Sequence, residues 1–384
     1  MNGKCILCGE ELKDCSIYMC KDMPAVSQNL PKTITEEACE PIDLDLCQCG
    51  KCGLVQFDCI PVSYYKDSTR AGERSKVLVD LRRKQYKHLI ESYNLYGKKI
   101  IELGAGKGGF LRTLKEMKEY KIKEYGIENN KEFVEIARDV QGVNVFWGDL
   151  ENESTEMQGA PYDAFVSFSY PARLVEPNKM FRLIERNLVE DGVGLVMVPS
   201  LEHLMKPGGF FDIARDHIAY YSVDTLRFLF QKNNFDVLEY GEEAKLYIYM
   251  VVRKRRKLDM GYYWQDVEPL ISRTQTFIFQ KREQGKKIAV WCAGHFSFTI
   301  LSVSGIGGEI SYIIDNAEFK KGCFAPGSKV PIVGPEHFKD EPVDVIMILG
   351  PIYVDEIVEE IRTKCSSEVT IVTIDKNDLC YVNG

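Results

Sequence analysis

The residues with the clearest capacity for chemistry form a glycine-rich turn, GAGKGG at 104–109, between a predicted strand and a predicted amphipathic helix. Glycines there let the backbone approach a ligand closely, and the N–H groups that open the helix converge at the same place. Glu128 ends the next predicted strand, where a carboxylate can accept hydrogen bonds from ribose hydroxyls. Asp149 follows the third predicted strand, where an acidic side chain can reach an adenine amino group. The pattern therefore predicts a site for a ligand that contains adenosine.

Two kinds of ligand fit this turn. Gly104, Gly106 and Gly109 satisfy the Gly-x-Gly-x-x-Gly fingerprint of dinucleotide sites. The residues 102–108, which begin with Glu102, resemble the Glu-x-Gly-x-Gly-x-Gly motif of class I methyltransferases. Glu102 favours S-adenosylmethionine, because a carboxylate there suits the ammonium of a methionine moiety and opposes a pyrophosphate. A nicotinamide or flavin cofactor is the alternative. The residues expected to bind the methyl donor are Glu102, Gly104, Ala105, Gly106, Gly108, Glu128, Asp149 and Ser167.

Cysteines are concentrated at the N-terminus, where nine of the 13 lie within the first 59 residues. Cys5 and Cys8 form one Cys-x-x-Cys pair, and Cys49 and Cys52 form another. Two such pairs can supply four thiolates in a tetrahedron around Zn²⁺, and a filled shell of four thiolates makes the metal structural. Cys47 could replace Cys49. Free thiols in a small apolar lobe, or an iron–sulfur cluster, are the alternatives.

Hydrophobic periodicity divides the chain into three predicted domains: a Cys-rich, turn-rich lobe at 1–62, an α/β domain at 63–255 and a smaller Rossmann-like domain at 256–384. Alternating strand-like and helix-like segments in the second and third domains predict mainly parallel sheets covered by helices. The predicted strands lie at 99–103, 125–128, 143–146, 164–168, 194–198, 287–291, 310–314, 345–349 and 369–374.

Composition narrows the class of protein. The chain is 45% hydrophobic and 28% charged, as is usual for a soluble globular protein. No segment reaches the about 20 apolar residues that a membrane span requires, and the N-terminus lacks the apolar core of a signal peptide, so we expect a cytoplasmic protein. A net charge of −8 argues against a nucleic-acid partner. The basic run at 253–257 is predicted to be a solvated strand end and linker.

Taken in order, these three parts resemble the sugar C-methyltransferase family, which acts on nucleotide-linked deoxy-keto sugars. The resemblance covers nearly the whole chain. It rests on CGKCGLVQ at 49–56, the tyrosine pair at 64–65, the glycine turn, DHIAYYS at 216–222, AGH at 293–295, Asp315 and PGSKVPI at 326–332. It implies a class I methyltransferase core between an N-terminal zinc-binding lobe and a C-terminal domain that binds the nucleotide-linked substrate.

The resemblance also implies methylation at the carbon beside a ketone, through an enolate that attacks the sulfonium methyl. His217 matches the family's general acid–base residue, and Asp216 would orient its imidazole. Two positions depart from the family pattern. Ala214 stands where the family usually has a tyrosine, and Arg173 stands at the nearest match to a family histidine. An arginine cannot act as a base, but it can bind an anion or stabilise an enolate.

These departures keep other chemistries open. An O- or N-methyltransferase on a related sugar or small metabolite is the main alternative, followed by a nicotinamide-dependent oxidoreductase and a catalytically silent scaffold. We expect a small-molecule acceptor, with contacts from Tyr64, Tyr65, Tyr220, Tyr221 and His295. For each of these residues, a role in packing or in capping a helix is the alternative.

Overall fold

In the computed structural model, which describes residues 3–28, 30–34, 37–67, 75–350, 352–375 and 378–382, the contacts divide the chain into two units. These units are Met1–Arg256 and Lys257–Gly384. Within the described ranges, no helix combines the length and the apolar character that crossing a membrane demands.

The first unit contains two sheets. Their strands, in chain order, are β1 (Ser16–Met23), β2 (Ile42–Gln48), β3 (Val55–Phe57), β4 (Lys99–Leu103), β5 (Lys123–Glu128), β6 (Val145–Trp147), β7 (Tyr162–Phe168), β8 (Leu188–Pro199), β9 (Ala219–Tyr220), β10 (Phe235–Glu243) and β11 (Tyr247–Lys254). Seven of them form one sheet in the order β10-β11-β8-β7-β4-β5-β6. Strands β4 to β8 run parallel, whereas β11 is antiparallel to both β8 and β10.

The order of this sheet fixes where a ligand can bind. The chain adds β5 and β6 on one side of β4, and then β7 and β8 on the other side. Open α/β sheets bind ligands outside the carboxyl ends of their strands, at the point where the order reverses. That point is the end of β4, where the glycine-rich turn begins.

Helices cover both faces of the seven-stranded sheet, because strands that are apolar throughout must be buried on both sides. They are α1 (Lys76–Ser92), α2 (Gly109–Glu116), α3 (Lys131–Asp139), α4 (Pro177–Arg186), α5 (Leu201–Leu204) and α6 (Val223–Lys232). Two hydrophobic cores result, one on each face. Helix α6 begins at Ser222, whose hydroxyl accepts from the Thr225 amide in a capping box.

The Cys-rich lobe contributes three strands to a sheet, and the sequence analysis had predicted no strand there. The sheet has the order β1-β2-β3-β9, and β9 comes from a segment that follows β8 in the chain. In the β3–β9 pairing, Val55 lies opposite Tyr220. Leu7 and Leu54 of the lobe also belong to a hydrophobic core of the seven-stranded sheet. This shared packing brings residues 216–217 beside the lobe.

The second unit is a Rossmann-like α/β fold, with the sheet order β14-β13-β12-β15-β16-β17. The first five strands in that order run parallel, and β17 is antiparallel to β16. Its elements are α7 (Met260–Glu283), β12 (Ile288–Trp291), α8 (His295–Val303), β13 (Tyr312–Ile314), β14 (Ile332–Val333), β15 (Val345–Ile348), α9 (Val354–Lys364), β16 (Thr370–Asp375) and β17 (Asp378–Tyr381). Each strand predicted in this region is present, with bounds shifted by one or two residues.

Side chains are tightly packed around Gly194 at the centre of β8, and a substitution there tests the packing of the first unit. A Cβ at Gly194 would lie 2.0 Å from Cε1 of the fully buried Phe165. Overpacking of this kind costs about 1–3 kcal/mol, so we expect Gly194→Ala to lower the calorimetric unfolding temperature of the full chain's first unit by several degrees. Gly241→Ala is the matched control, because its Cβ would meet only the movable tip of the half-buried Tyr249 ring at 2.9 Å. Equal shifts for the two variants would contradict this account of the packing.

Candidate active site

The glycine-rich turn leaves β4 in a conformation that suits glycine. Gly104 has a φ of 72° and Gly106 a φ of 57°, both in the left-handed region. The amides of Gly104 and Ala105 both donate to the carbonyl of Ile127, at 3.0 Å each, and so tie the turn to β5. Gly108 then caps the start of α2. These contacts fix the conformation of the turn at the end of β4, where the strand order of the sheet reverses.

Glu128 is the anchor of this turn. Its carboxylate is 1% exposed. Its Oε2 accepts from the amide of Gly106 at 2.9 Å, and its Oε1 accepts from the amides of Asn129 at 2.9 Å and Asn130 at 3.0 Å. A buried carboxylate needs such donors to stay charged. The structure therefore brings Glu128 and the glycine turn together, as the sequence predicted.

Asp149 lies at the same edge of the sheet, but a lysine that the sequence analysis did not single out is paired with it. Its Oδ1 accepts from the amide of Glu151 at 2.9 Å, and its Oδ2 accepts from Nζ of Lys66 at 2.6 Å. Lys66 also lies 3.4 Å from the carboxylate of the buried Glu151. The hydroxyl of Tyr65 donates to that same carboxylate at 2.8 Å. Two acids and one ammonium therefore meet where an adenine amino group was predicted.

Three further donor-site predictions fall on buried positions of the sheet. Glu102 in β4 and Ala105 in the turn are both fully buried. Ser167 near the end of β7 is also fully buried, and its hydroxyl donates to the carbonyl of Leu103 at 3.2 Å. Ser167 thus fixes β7 to the residue that precedes Gly104.

A second cluster gathers around the buried Asp216. The Tyr64 hydroxyl donates to its Oδ1 at 2.9 Å, and the Ser27 amide donates to its Oδ2 at 2.9 Å. Nη2 of the buried Arg173 lies 3.8 Å from Oδ1. Burial, reinforced by Asp216, raises the pKa of Tyr64 to about 12, so its phenol keeps its proton. This cluster joins the lobe, the loop after β7 and the segment before β9.

His217 is half-buried beside this cluster. Burial and the nearby guanidinium of Arg173 lower its pKa to about 4, although Asp216 acts in the opposite direction. The imidazole is therefore neutral at pH 7, which is the form that accepts a proton. Its Nδ1 is buried and has no hydrogen-bond partner among the described residues.

The expected bond between Asp216 and the imidazole of His217 is not among the hydrogen bonds of the described residues. The hydrogen bonds that Asp216 does accept come from the Ser27 amide and the Tyr64 hydroxyl, one at each oxygen. Asp216 acts on His217 through its charge in this arrangement, and it does not orient the ring by a hydrogen bond.

The aromatic residues predicted to contact the acceptor lie in different surroundings. Tyr220 and Tyr221 are fully buried, and the hydroxyl of Tyr220 bonds both the amide and the carbonyl of Ala214. We leave both tyrosines out of the acceptor site, because neither ring lines an accessible surface. Tyr64 is 8% exposed and is bonded to Asp216. His295 is exposed at the first turn of α8, in the second unit.

Tyr170, which the sequence analysis did not assign to the site, connects the two clusters. A Cβ at Gly104 would lie 2.6 Å from the Tyr170 ring, so this ring packs directly on the glycine turn. The Tyr170 hydroxyl donates to the carbonyl of Lys66 at 2.9 Å, and its own carbonyl accepts from the amide of Arg173 at 3.0 Å. The only sequence signal for Tyr170 was its position on the loop that follows the fourth parallel strand.

The four predicted metal ligands come together in the lobe. The sulfur atoms of Cys5, Cys8, Cys49 and Cys52 all lie within 4.8 Å of one another. The sulfur atoms of Cys5 and Cys52 are 3.5 Å apart, and so are those of Cys8 and Cys49. A tetrahedral Zn²⁺ with Zn–S bonds of about 2.3 Å needs sulfur atoms roughly 3.8 Å apart, so the four thiols fit the ion. Cys49 belongs to this cluster, whereas Cys47 does not.

Comparison with known proteins accounts for most of the chain. A methyltransferase domain matches residues 79–240, and a C-methyltransferase C-terminal domain matches residues 259–374. The C-methyltransferase NovU of Streptomyces niveus is 22% identical over 356 residues, which cover 82% of this chain and 82% of that protein.

Two solved structures show a weaker likeness. A S-adenosylmethionine-dependent methyltransferase from Clostridium acetobutylicum has 14% identity and a TM-score of 0.38, over 46% of this chain and 92% of that one. The amino pentose methyltransferase CalS10 from Micromonospora echinaspora has 13% identity and a TM-score of 0.36, over 47% of this chain and 93% of that one. The fold assignment rests on the strand order and the domain matches.

The domain matched across the glycine turn decides between the two ligands that the turn allows, because it is a methyltransferase domain and not a dinucleotide-binding one. The chain is therefore an S-adenosylmethionine-dependent methyltransferase that carries a C-methyltransferase C-terminal domain.

Proposed function

We propose that this enzyme methylates the carbon beside the ketone of a nucleotide-linked keto sugar. The observation that carries the proposal is a neutral, half-buried His217 beside the cation of Arg173 and the anion of Asp216. Tyr170 packs on the glycine turn and is bonded to Arg173, so this cluster is attached to the donor site. A neutral base next to a fixed cation suits the formation of an enolate.

The proposed reaction has two steps. The imidazole of His217 accepts the proton from the carbon beside the ketone, and the charge that develops on the ketone oxygen is stabilised by Arg173. The enolate carbon then attacks the methyl of S-adenosylmethionine, so that a C–C bond forms and the S–CH₃ bond breaks. The sulfonium becomes the neutral thioether of S-adenosylhomocysteine. Asp216, beside both cations, offsets the positive charge that His217 gains.

The donor is proposed to bind across the glycine turn. Glu128 would accept from the ribose hydroxyls, Asp149 from the adenine amino group, and Glu102 would face the methionine ammonium. The buried backbone donors around Glu128 support this assignment, because they fix the orientation of its carboxylate before any ligand arrives.

The acceptor class follows from the chain's resemblance to sugar C-methyltransferases and is supported by its likeness to a C-methyltransferase. In the second unit, His295 stands where β12 meets α8, the edge at which Rossmann-like folds bind ligands, and is proposed to contact the nucleotide. Incubation with labelled donor and a panel of nucleotide-linked keto sugars, with NMR to locate the new methyl, tests the proposal. A methyl on oxygen or nitrogen would favour the alternative chemistry that Ala214 and Arg173 leave open.

Of the predictions that follow from the proposed function, the first concerns the donor site. Glu128→Ala removes the acceptor of three amides as well as the proposed ribose contact, so S-adenosylhomocysteine should bind at least about tenfold more weakly, or about 1.4 kcal/mol. Isothermal titration calorimetry measures this directly. Glu124→Ala, at the other end of the same strand, is the matched control and should leave the affinity unchanged. An unaltered affinity for Glu128→Ala would remove Glu128 from the donor site.

The second prediction concerns the base. His217→Asn should lower kcat by roughly 10²–10⁴-fold, the usual contribution of a general base, while the affinity for S-adenosylhomocysteine stays the same. His88→Asn, at an exposed histidine bonded to Glu239, is the control. Normal turnover in the His217 variant would assign the proton transfer to another group.

The third prediction follows from the lowered pKa of His217. A base with a pKa of about 4 stays deprotonated as the pH falls from 7 to 6, so kcat/KM for the acceptor should fall only below the usual histidine range. If kcat/KM of the wild-type enzyme instead falls with a midpoint near pH 6.5, the pKa of His217 is not lowered by burial and Arg173.

The fourth prediction concerns the Cys₄ cluster, which we propose holds a structural zinc ion. Elemental analysis of the purified protein should give about one zinc per chain. Cys49→Ser should lose the metal, whereas Cys47→Ser should keep it, because Cys47 is outside the cluster. Protein that is folded and free of zinc would rule out the proposed site.

A further inference from the structure

The four residues at 64–67 touch both the donor site and the acid–base cluster. Tyr64 is bonded to Asp216, and Tyr65 is bonded to Glu151. Lys66 is paired with Asp149, and Asp67 accepts from the side-chain amide of Asn130 at 2.9 Å. Asn130 in turn donates its backbone amide to Glu128. One short segment therefore contacts the carboxylate proposed for adenine and the carboxylate beside the base, and it reaches the carboxylate proposed for ribose through Asn130.

Lys66 has two acceptors within reach. Its Nζ is 2.6 Å from Asp149 and 3.4 Å from Glu151. Burial opposes the charged ammonium, but the two carboxylates outweigh it and raise the pKa of Lys66. A shift of less than one ångström would bring the ammonium to hydrogen-bonding distance of Glu151 while it stays within ion-pair distance of Asp149, so the cation keeps a carboxylate partner throughout.

A ligand amino group and Lys66 compete for the same oxygen. Oδ1 of Asp149 is already engaged by the amide of Glu151, so Oδ2 is the oxygen that adenine would need. On the proposed donor site, an adenine amino group that approaches Oδ2 meets the Lys66 ammonium there, and a displaced ammonium still has Glu151 as its partner. Tyr64 lies two residues before Lys66 in the same segment, so a coupling between the two would be carried by the short backbone between them, which Tyr170 bonds at the Lys66 carbonyl.

We infer that Lys66 is a positioning residue that couples donor binding to the acid–base cluster, through the hydrogen bond of Tyr64 to Asp216. Without donor, Lys66 holds the segment on Asp149, and the Tyr64 phenol occupies Oδ1 of Asp216. When the donor takes Asp149, the segment shifts and the bond from Tyr64 weakens. The charge of Asp216, no longer shared with the Tyr64 phenol, then acts more strongly on the imidazolium and on Arg173, so deprotonation of the acceptor is favoured beside a bound methyl donor. This inference rests on the proposed function.

The test uses calorimetry with S-adenosylhomocysteine on the full chain. Lys66→Met removes the competitor and should bind S-adenosylhomocysteine about threefold or more tightly than the wild type, whereas Lys66→Arg, which keeps the cation, should not. Lys98→Met, at an exposed lysine paired with Asp163, is the matched control and should not change the affinity. Equal or weaker binding by Lys66→Met would overturn the inference.

The coupling between the donor site and the acid–base cluster is tested at Tyr64, which lies on the cluster's side of the segment. Tyr64→Phe contacts none of the donor carboxylates, yet it should also tighten binding of S-adenosylhomocysteine, and this effect should vanish in the Lys66→Met background. Hydrogen exchange at the Ser27 amide, which donates to Asp216, should quicken when S-adenosylhomocysteine binds to the wild type but not to Lys66→Met. Additive effects or unchanged exchange would contradict the coupling. Loss of all S-adenosylhomocysteine binding in the wild type would instead count against the donor site itself.

Discussion

The buried carboxylate of Glu128 is the interaction on which the rest of the site depends. A carboxylate that is 1% exposed is stable only when donors surround it, and here three backbone amides, from two different loops, supply them. One of these amides belongs to Gly106, so satisfying the acid also fixes the glycine turn. The same bonds set the start of α3, since Asn130 both donates to Glu128 and caps that helix. The carboxylate of Glu128 therefore stabilises both the local fold and the donor site.

Much of this part could be predicted from the sequence, because its signals are local. The glycines, the strand before them and the acid at the end of the next strand lie close together along the chain, and each has a conformational or hydrogen-bonding reason that needs no tertiary information. The Cys-x-x-Cys pairs were equally readable, since each pair is a local unit that points to a metal. The Rossmann-like strands of the second unit followed from their apolar sequences.

The acid–base cluster could not be predicted in the same way. Tyr64 and Asp216 are separated by 152 positions, and Lys66 and Asp149 by 83. The pair of Tyr64 and Asp216 depends on β9, which joins the sheet of the lobe, and a two-residue strand has no sequence signal of its own. Strand β10 was not among the predicted strands, and of β11 only its end, at the basic run 253–257, was expected.

The consequence for function is a site in which each charged side chain is restrained by a partner from a different element. Arg173 comes from the loop after β7, Asp216 and His217 from the segment before β9, and Lys66 from the end of the lobe. Arg173, Asp216 and His217 are thereby placed close together before a ligand arrives, and this lowers the reorganisation that the reaction requires. The zinc proposed for the lobe would act at a distance, by holding the strands that bring Tyr64 to Asp216.

The most direct measurement is a crystal structure of the protein grown with S-adenosylhomocysteine. The account predicts the nucleoside over the 104–109 turn, with its ribose hydroxyls on Glu128, its adenine amino group on Asp149 and Lys66 moved to Glu151. An empty turn at saturating ligand, or a nucleoside whose ribose lies away from Glu128, would contradict it.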